Sequence, residues 1–218
     1  MSETEFLIRA GRPPHPTAYR RIGLLLSRFC LKVTLFLVIF FLSFHLLSFT
    51  PGPWYLTSDY QARERTIREI MVILEKHPTG LAYVTREELA EFIFEEATRY
   101  NHDPKFILAL ISSESSFKNW SVSERGAKGL MQIMPYVAQS LAQELGIEWM
   151  GDRTLFNPFL NVRMGIYYFT RLIFDFHNLE QALVAYNYGP TYVKSLIESK
   201  KPIPPEYYKK VLTAYESL

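Results

Sequence analysis

Cysteine is nearly absent from this sequence, and histidine is sparse. The 218 residues include one cysteine, Cys30, so an internal disulfide cannot form. The five histidines are scattered along the chain without the regular spacing that metal ligands need. These absences exclude a disulfide framework and give no indication of a metal site or a bound cofactor.

A strong charge of one sign is also missing. Lys and Arg number 24 against 22 Asp and Glu, which gives a formal net charge of +2. The positive excess lies in residues 1–32 and leaves the remainder slightly acidic, so the footprint of a nucleic-acid-binding protein is absent. The sequence also lacks internal repeats, a Gly-rich phosphate loop and a G-x-S-x-G nucleophile elbow.

One long hydrophobic run is present. Residues 33–49 read VTLFLVIFFLSFHLLSF without a formal charge, a length near the lower limit for crossing the hydrocarbon core of a bilayer. Because the basic cluster precedes this run, residues 1–32 are predicted to be a cytoplasmic stub, and the chain after Thr50 is predicted to lie outside. The expected location is the inner (cytoplasmic) membrane, with a single span and a periplasmic domain.

Two other interpretations of the run remain open. A cleaved signal peptide is the main rival, although the run is long and the following SFTPGPW lacks the small-x-small pattern of a peptidase site. A buried core helix is less favoured, because a segment that is apolar on every side would need a larger protein to cover it.

Residues 50–80 are predicted to form a linker and a juxtamembrane spacer helix. The Thr-Pro-Gly-Pro sequence at 50–53 breaks the preceding helix, and Ser58 is expected to cap the next one, which ends at the His-Pro-Thr-Gly of 77–80. The apolar face of this helix comprises Ile67, Ile70, Met71 and Leu74.

Residues 81–218 are predicted to be one all-α domain. Thr85 and Glu88 form a capping box, which is a strong signal for a helix start. Other helices are predicted to begin at Asp103-Pro104, Pro135, Asn157-Pro158, Leu179 and Pro205. No run alternates as a strand should, so a compact set of short and medium helices is expected.

The most informative stretch is ALISSESSF at 109–117, which places one carboxylate, Glu114, late in an apolar helix. A glutamate near a helix end is usually solvated or salt-bridged, so this segment alone is weak evidence for catalysis. Its weight rises with the motifs that accompany it, which are Glu114-Ser115, Ser123, GAKGLMQIMP at 126–135 and AYNYGP at 185–190.

On these motifs the chain resembles the lytic transglycosylases of the soluble-transglycosylase (SLT) type, relatives of goose-type lysozyme, over roughly residues 95–212. The resemblance implies a lysozyme-like helical domain that acts on the glycan strands of peptidoglycan. The family motifs occur here in order as Glu114-Ser115, Gly129 to Pro135, Leu155 to Pro158 with Asn161 and Gly165, Ala185 to Gly189, and Tyr207 with Val211.

The resemblance implies that Glu114 is the catalytic residue. It would protonate the oxygen of the β-1,4 bond between N-acetylmuramic acid and N-acetylglucosamine, then accept the proton of the muramoyl 6-hydroxyl as that oxygen attacks the anomeric carbon. The product is a 1,6-anhydromuramoyl end. One residue can serve as acid and then base only if its pKa lies near working pH, and the apolar neighbours Ala109, Leu110, Ile111 and Phe117 are expected to raise that pKa.

The resemblance also implies a set of substrate-binding residues. Ser123, Gln132 and Met134 should line the sugar groove. Tyr186 and Tyr207 should lie near Glu114, and Asn187 should hold an acetamido group. Purely structural roles remain open, since Met134 and Tyr207 could be core residues and Asn187 could be a helix cap.

The chain departs from the family pattern at two places. Lys118-Asn119 stands where the family usually has Asn-Pro, and Tyr188 replaces a usual small residue. The first departure is expected to alter the local turn, and the second the groove. Independently of these departures, two alternative functions stay in view. One is a hydrolytic muramidase on the same fold, and the other is a non-catalytic peptidoglycan-binding scaffold of a wall-spanning apparatus.

Overall fold

The structure of the protein is a computed structural model that describes residues 31–45 and 53–218. The described residues are mostly helical, as the sequence predicts, and their extended pairing is limited to two antiparallel bridges, Val122 with Lys128 and Lys128 with Ile133. The helices are α1 over 31–45, α2 Pro53–Glu75, α3 Arg86–Arg99, α4 Pro104–Ser115, α5 Pro135–Leu145, α6 Asp152–Leu155, α7 Pro158–Phe176, α8 Leu179–Tyr188, α9 Pro190–Glu198 and α10 Glu206–Ser217.

The chain divides into two compact units, residues 1–59 and 60–218. Helix α1 belongs to the first unit, and its side chains are exposed along its whole length. Among residues 31–45 and 53–218, no helix combines the length and the apolar character needed to cross a membrane. The predicted span at 33–49 continues through 46–49, which lie outside the described residues, as do residues 1–30 of the predicted stub.

Helix α2 differs from the predicted spacer helix in where it begins. It starts at Pro53 and so contains Ser58, which was expected to cap it. Its apolar face is buried as predicted, because Ile67, Ile70 and Leu74 are part of the hydrophobic core. The predicted boundary at residue 80, between spacer and domain, stays a prediction, whereas the second compact unit begins at Tyr60.

The capping signals in the sequence place the ends of several helices. At α3 the Glu88 backbone N–H donates to Thr85 Oγ1 at 3.0 Å, and the Thr85 N–H donates to Glu88 Oε2 at 2.8 Å, which confirms the capping box. At α4 the Lys105 N–H donates to Asp103 Oδ1 at 2.9 Å. Helix α5 ends at Gly146, whose φ of 65° allows the left-handed turn that closes the helix.

Helix α4 lies at the centre of the core. Its residues from Ile107 to Ile111 are all buried, and α3 and α10 pack against it. A helix that is apolar on every side needs such cover. Glu114 follows one turn later, so the core fixes the position of this carboxylate.

Two helices were not predicted. Helix α6 spans four residues, Asp152–Leu155, which is too short to show a hydrophobic period. Helix α9 begins at Pro190 directly after α8, and Gly189 between them has a φ of 92°. The Gly-Pro pair that ends one helix therefore also starts the next, with Pro at its first position.

The segment after α2 contacts the loop that follows α4. The Asn119 backbone N–H donates to the Thr79 carbonyl at 2.9 Å, and Trp120 Nε1–H donates to the Gly80 carbonyl at 2.6 Å. The His77 ring lies 4.4 Å from that of Phe117, measured between centroids. These contacts hold residues 77–80 to the loop beside Glu114.

Burial of α2 predicts a large stability cost for Leu74→Ala. The Leu74 side chain is fully buried, so truncation leaves a cavity and is expected to lower the free energy of unfolding by about 2–5 kcal/mol. Urea denaturation followed by circular dichroism measures this change. The control is Val72→Ala on the same helix, where the side chain is 45% exposed and the expected cost is below about 1 kcal/mol. Equal costs for the two variants would contradict the packing of α2 on the core.

Candidate active site

Helix α4 ends in an unusual turn immediately after Glu114. Ser116 has a φ of 50° and Phe117 a φ of 64°, so two consecutive non-glycine residues lie in the left-handed region. The turn is held by the Ser116 N–H, which donates to the Ser112 carbonyl at 3.0 Å, and by full burial of the Phe117 ring. The chain therefore reverses away from the helix and leaves Glu114 on the wall of a cleft.

Asn119, where the sequence departs from the family pattern, has a structural role in this turn. It is buried, and its Nδ2 donates to the Phe156 carbonyl at 2.9 Å. Together with the bond from its backbone to Thr79, this contact ties the turn to two other parts of the domain. Glu114 lies in the cleft just before this turn.

Asn161 organises the loop that faces Glu114. Its buried side chain accepts a bond from the Met131 N–H at 2.8 Å and donates to the carbonyls of Lys128, at 3.0 Å, and Leu155, at 2.9 Å. One amide thus uses its oxygen and both hydrogens on backbone groups of two segments. This explains why the Lys128 to Met131 backbone passes so close to α7.

Two glycines permit that close approach. Gly129 has a φ of 83°, and a Cβ atom there would lie 2.5 Å from the Leu155 carbonyl oxygen. A Cβ atom on Gly165 would lie 2.7 Å from Met131 Cβ. Real Cβ atoms do not tolerate such distances, so any larger residue would push the loop away from α7.

The cleft beside Glu114 has a volume of about 530 Å³ and brings together all the predicted site residues. The members that the sequence predicted are Glu114, Ser123, Gln132, Met134, Tyr186, Asn187 and Tyr207. They come from α4, the loop before α5, α8 and α10, so side chains up to 93 positions apart in the chain meet at one place. Their joint location is observed, while their individual roles in binding remain predictions.

Glu114 has the electrostatic character that the sequence predicted. Burial raises the pKa of its carboxyl to about 7, although a hydrogen bond from Tyr207 and the positive charge of Lys210 act in the opposite direction. The Tyr207 hydroxyl donates to Glu114 Oε1. A carboxyl with this pKa is present in both protonation states near neutral pH, as a group that alternates between acid and base requires.

Of the three tyrosines that line the cleft, Tyr186 and Tyr207 make different contacts. Tyr207 is buried and binds Glu114, whereas the Tyr186 hydroxyl donates to the Met131 carbonyl at 2.8 Å. Burial, together with the nearby negative charge of Glu114, raises the pKa of both phenols well above the ordinary value, so both remain hydrogen-bond donors. Neither tyrosine can serve as a proton acceptor at neutral pH.

Gln132 and Ser123 are tied into the loop as well as lining the cleft. Gln132 has a φ of 47°, and its Nε2 donates to the carbonyls of Ser121, at 3.0 Å, and Gly129, at 2.8 Å. The Ser123 Oγ accepts from the Ala127 N–H at 2.9 Å. Both of these bonds use the Gln132 amide nitrogen, so its side-chain oxygen can accept a hydrogen bond from a ligand.

Met134 was considered as a core residue and Asn187 as a helix cap, and the structure places both elsewhere. Met134 precedes α5 and is only partly buried, so it is not a core residue. Asn187 lies inside α8, whose cap is Gly189, and its side chain is exposed at the cleft. Neither residue therefore has the purely structural role considered from the sequence.

Six further residues line the cleft. Ala127 and Tyr188 lie within the sequence motifs, whereas the motifs did not indicate Ser113, Glu124, Arg125 and Lys210. The Lys210 ammonium donates to the Ser113 carbonyl, close to Glu114. A signal for Lys210 was present in the sequence, because it follows the predicted site residue Tyr207 by three positions and so lies on the same face of a helix.

Metal chemistry has no candidate centre in the ranges that the structure describes. Within 31–45 and 53–218, no group of three or more His, Cys, Asp or Glu side chains could hold a metal ion. The titratable groups of the cleft are two carboxylates, Glu114 and Glu124, three phenols and two cationic side chains.

The cleft of this mostly helical domain thus brings together the buried carboxyl of Glu114 and the family motifs recognised in the sequence. Residues 91–207, more than half of the chain, match the family model described as the Transglycosylase SLT domain. The chain belongs to this SLT transglycosylase family, and the resemblance predicted from the motifs is confirmed.

Individual relatives match over shorter lengths. The chain is 33% identical over 91 residues to the membrane-bound lytic murein transglycosylase C of Histophilus somni (strain 2336), covering 41% of this chain and 25% of the relative. It is 30% identical over 99 residues to the transglycosylase of Enterobacteria phage PRD1, covering 45% of this chain and 34% of the relative. The matched segments therefore span a quarter to a third of these relatives.

A solved structure shows the same fold. The 70-kDa soluble lytic transglycosylase in complex with bulgecin A superimposes with a TM-score of 0.51 and 22% identity, covering 59% of this chain and 24% of that one. At this identity the likeness concerns the fold alone.

The raised pKa of Glu114 predicts that folding stability falls as pH rises. The carboxyl changes from its usual pKa of 4.5 to about 7 on folding, so its stabilising contribution is complete below about pH 4.5 and is lost as pH rises through about 7. Glu114→Gln does not titrate. Its stability relative to wild type should therefore increase from pH 4.5 to 7.5, by at most about 3 kcal/mol, in urea denaturation. The exposed Glu91→Gln should show no such trend, and a constant difference for Glu114→Gln would contradict the assignment.

Proposed function

We propose that this chain is a peptidoglycan lytic transglycosylase that cleaves the β-1,4 bond between N-acetylmuramic acid and N-acetylglucosamine and forms 1,6-anhydromuramoyl ends. The observation that carries the proposal is the Glu114 carboxyl, which has a pKa of about 7 and lies among the matched family motifs in one cleft. The relatives named lytic murein transglycosylase and the family model support the same reaction.

The proposed reaction uses Glu114 twice. In the first step the protonated carboxyl donates its proton to the glycosidic oxygen as the bond from that oxygen to the anomeric carbon breaks. In the second step the carboxylate accepts the proton of the muramoyl 6-hydroxyl as the 6-oxygen bonds to the anomeric carbon. The glutamate ends in its starting protonation state, and no water is consumed.

The surroundings of Glu114 suit this cycle. The Tyr207 hydroxyl donates to one carboxyl oxygen and leaves the other free to face a sugar. We assign Ser123, Gln132, Met134 and Asn187 to binding of the glycan strand. Amide and hydroxyl groups pair with sugar hydroxyls and acetamido groups, while the Met134 side chain gives an apolar surface for the ring.

The hydrolytic alternative rests on one specific observation. Glu124 is a second carboxylate on the wall of the cleft, and most glycoside hydrolases use two carboxylates, one of which activates a water or bonds to the sugar. Glu124 is exposed, whereas the environment of Glu114 is enclosed. We therefore favour the reaction that needs Glu114 alone.

We further propose that residues 33–49 anchor the chain in the inner membrane, with residues 1–32 cytoplasmic and the domain periplasmic. The helix over 31–45 exposes large apolar side chains, including Phe36 at 68% and Phe40 at 61%. Exposure of this kind is costly in water and favourable in lipid. The relative named membrane-bound supports a membrane location, and the peptidoglycan substrate lies on the same side as the proposed domain.

The proposed reaction predicts that Glu114→Gln abolishes release of anhydromuropeptides from purified sacculi. The substituted amide can neither donate nor accept the required proton, so the rate is expected to fall by about 10²–10⁴-fold or more. Mass spectrometry of the soluble products measures this loss, and circular dichroism checks that the fold is retained. Undiminished release by Glu114→Gln would end the proposal.

The mass of the products and the activity of Glu124→Gln together distinguish a lytic transglycosylase from a hydrolytic muramidase and from a non-catalytic scaffold. Wild type should release products with anhydro ends, whereas hydrolysis would add the mass of one water to each. Glu124→Gln should keep the activity if one carboxylate suffices, and its loss would favour a two-carboxylate hydrolase. A wild-type chain that binds sacculi without releasing products would indicate a non-catalytic scaffold.

Single-cysteine chains test the proposed topology. In a Cys30→Ser background, Glu91→Cys should react with a membrane-impermeant maleimide in intact spheroplasts, because Glu91 lies on the exposed face of α3. Glu3→Cys should react only after the membrane is permeabilised. Labelling of both cysteines in intact spheroplasts would contradict an N-terminus in the cytoplasm. Recovery of the Glu91→Cys chain in the soluble fraction would instead indicate a cleaved signal peptide.

A further inference from the structure

Lys210 lies in the cleft in a position that the family motifs do not account for. It is on α10, and its ammonium donates to the carbonyl of Ser113, the residue immediately before Glu114. Tyr207, three positions earlier on the same helix, donates to the Glu114 carboxyl. One face of α10 therefore reaches both the backbone and the side chain of the last turn of α4.

The Ser113 carbonyl is a group that needs a partner. The last four carbonyls of a helix have no partner within it, and they carry the negative end of the helix dipole. Ser113 is two residues from the end of α4, so its carbonyl belongs to this set. The Lys210 ammonium satisfies the carbonyl and brings a positive charge to the negative end of the helix.

The positive charge of Lys210 also lies near Glu114, which becomes a carboxylate when it donates its proton in the proposed reaction. Around Glu114 the titratable and charged groups are Tyr186 and Tyr188 from α8, Tyr207 and Lys210 from α10, and Glu124 and Arg125 from the loop before α5. Of the cationic groups in this set, Lys210 is the one whose charge acts on Glu114 and lowers its pKa against the effect of burial. The phenols of Tyr186 and Tyr207 are neutral donors, so they supply no compensating charge.

We propose that Lys210 is a positioning residue for Glu114. By binding the Ser113 carbonyl, it keeps a fixed positive charge beside the carboxylate that Glu114 becomes once it has donated its proton to the glycosidic oxygen. That charge stabilises the intermediate state of the cycle until the carboxylate takes the proton of the 6-hydroxyl. The inference rests on the proposed transglycosylase reaction. It adds that Lys210 allows the buried carboxyl of Glu114 to ionise during that reaction.

The test compares Lys210→Met with Lys210→Arg and with Lys209→Met. Methionine keeps the length of the side chain and removes its charge, while arginine restores the charge. Lys209 is the matched control, because it is the adjacent residue of α10, is exposed and does not line the cleft. Since the Lys210 residue is itself largely exposed, all three variants are expected to fold, which thermal unfolding checks.

Two measurements are made on each full-length variant. The first is the pKa of Glu114, followed by carbon NMR of chains labelled at the glutamate carboxyl and assigned by loss of the signal in Glu114→Gln. Lys210→Met should raise this pKa from about 7 by roughly half a unit to one unit, with Lys210→Arg and Lys209→Met close to wild type. The second is the pH profile of anhydromuropeptide release. Wild-type activity should fall as pH rises through about 7, and Lys210→Met should shift this alkaline limb to higher pH while lowering the maximal rate several-fold.

The outcomes separate the two proposals. An unchanged pKa and an unchanged pH profile in Lys210→Met would overturn the role of Lys210, and so would an equal effect of Lys209→Met. A uniform loss of rate without a shift in the profile, not rescued by Lys210→Arg, would reduce Lys210 to a purely structural residue and would also overturn it. If wild type releases no anhydro products, the proposed function fails, and the NMR comparison still decides whether Lys210 acts on Glu114.

Discussion

Burial of the Glu114 carboxyl is the constraint on which the rest of the site depends. An apolar environment favours the protonated form, and the same environment would make the group inert if nothing opposed it. A hydrogen bond from Tyr207 and the charge of Lys210 act against burial, so the carboxyl stays close to the point where it can both give and take a proton. The position of α4 in the core buries the carboxyl and raises its pKa, whereas Tyr207 and Lys210 of α10 lower that pKa.

The opposite wall of the cleft is built on a different principle. There the backbone itself is fixed, because the Asn161 amide bonds to Met131, Lys128 and Leu155 within a space that only glycine at position 129 can fit. A loop without regular secondary structure thereby becomes as well defined as a helix. This support fixes the position of the Lys128 to Met131 backbone opposite Glu114.

Local sequence patterns predicted the helix ends well because capping is local chemistry. The box at Thr85 and the αL residue at Gly146 depend only on neighbouring residues. Seven residues of the cleft were predictable from the family motifs, and the raised pKa of Glu114 from its apolar neighbours. The role of Lys210 was not, because its contact with the Ser113 carbonyl depends on how α10 packs against α4, and no local pattern records that packing. The start of α2 was predicted at Ser58 instead of Pro53. A serine inside a helix cannot be distinguished by sequence from a serine that caps one.

The hydrogen bonds from Asn119 and Trp120 to the carbonyls of Thr79 and Gly80 have a consequence for how the chain can vary in length. Residues 77–80 connect α2 to α3 and at the same time support the turn that follows Glu114, so an insertion there would loosen the turn. A segment added before Tyr60, where the second compact unit begins, would leave these hydrogen bonds in place. The length of the chain before the second unit can therefore change without disturbing the turn beside Glu114.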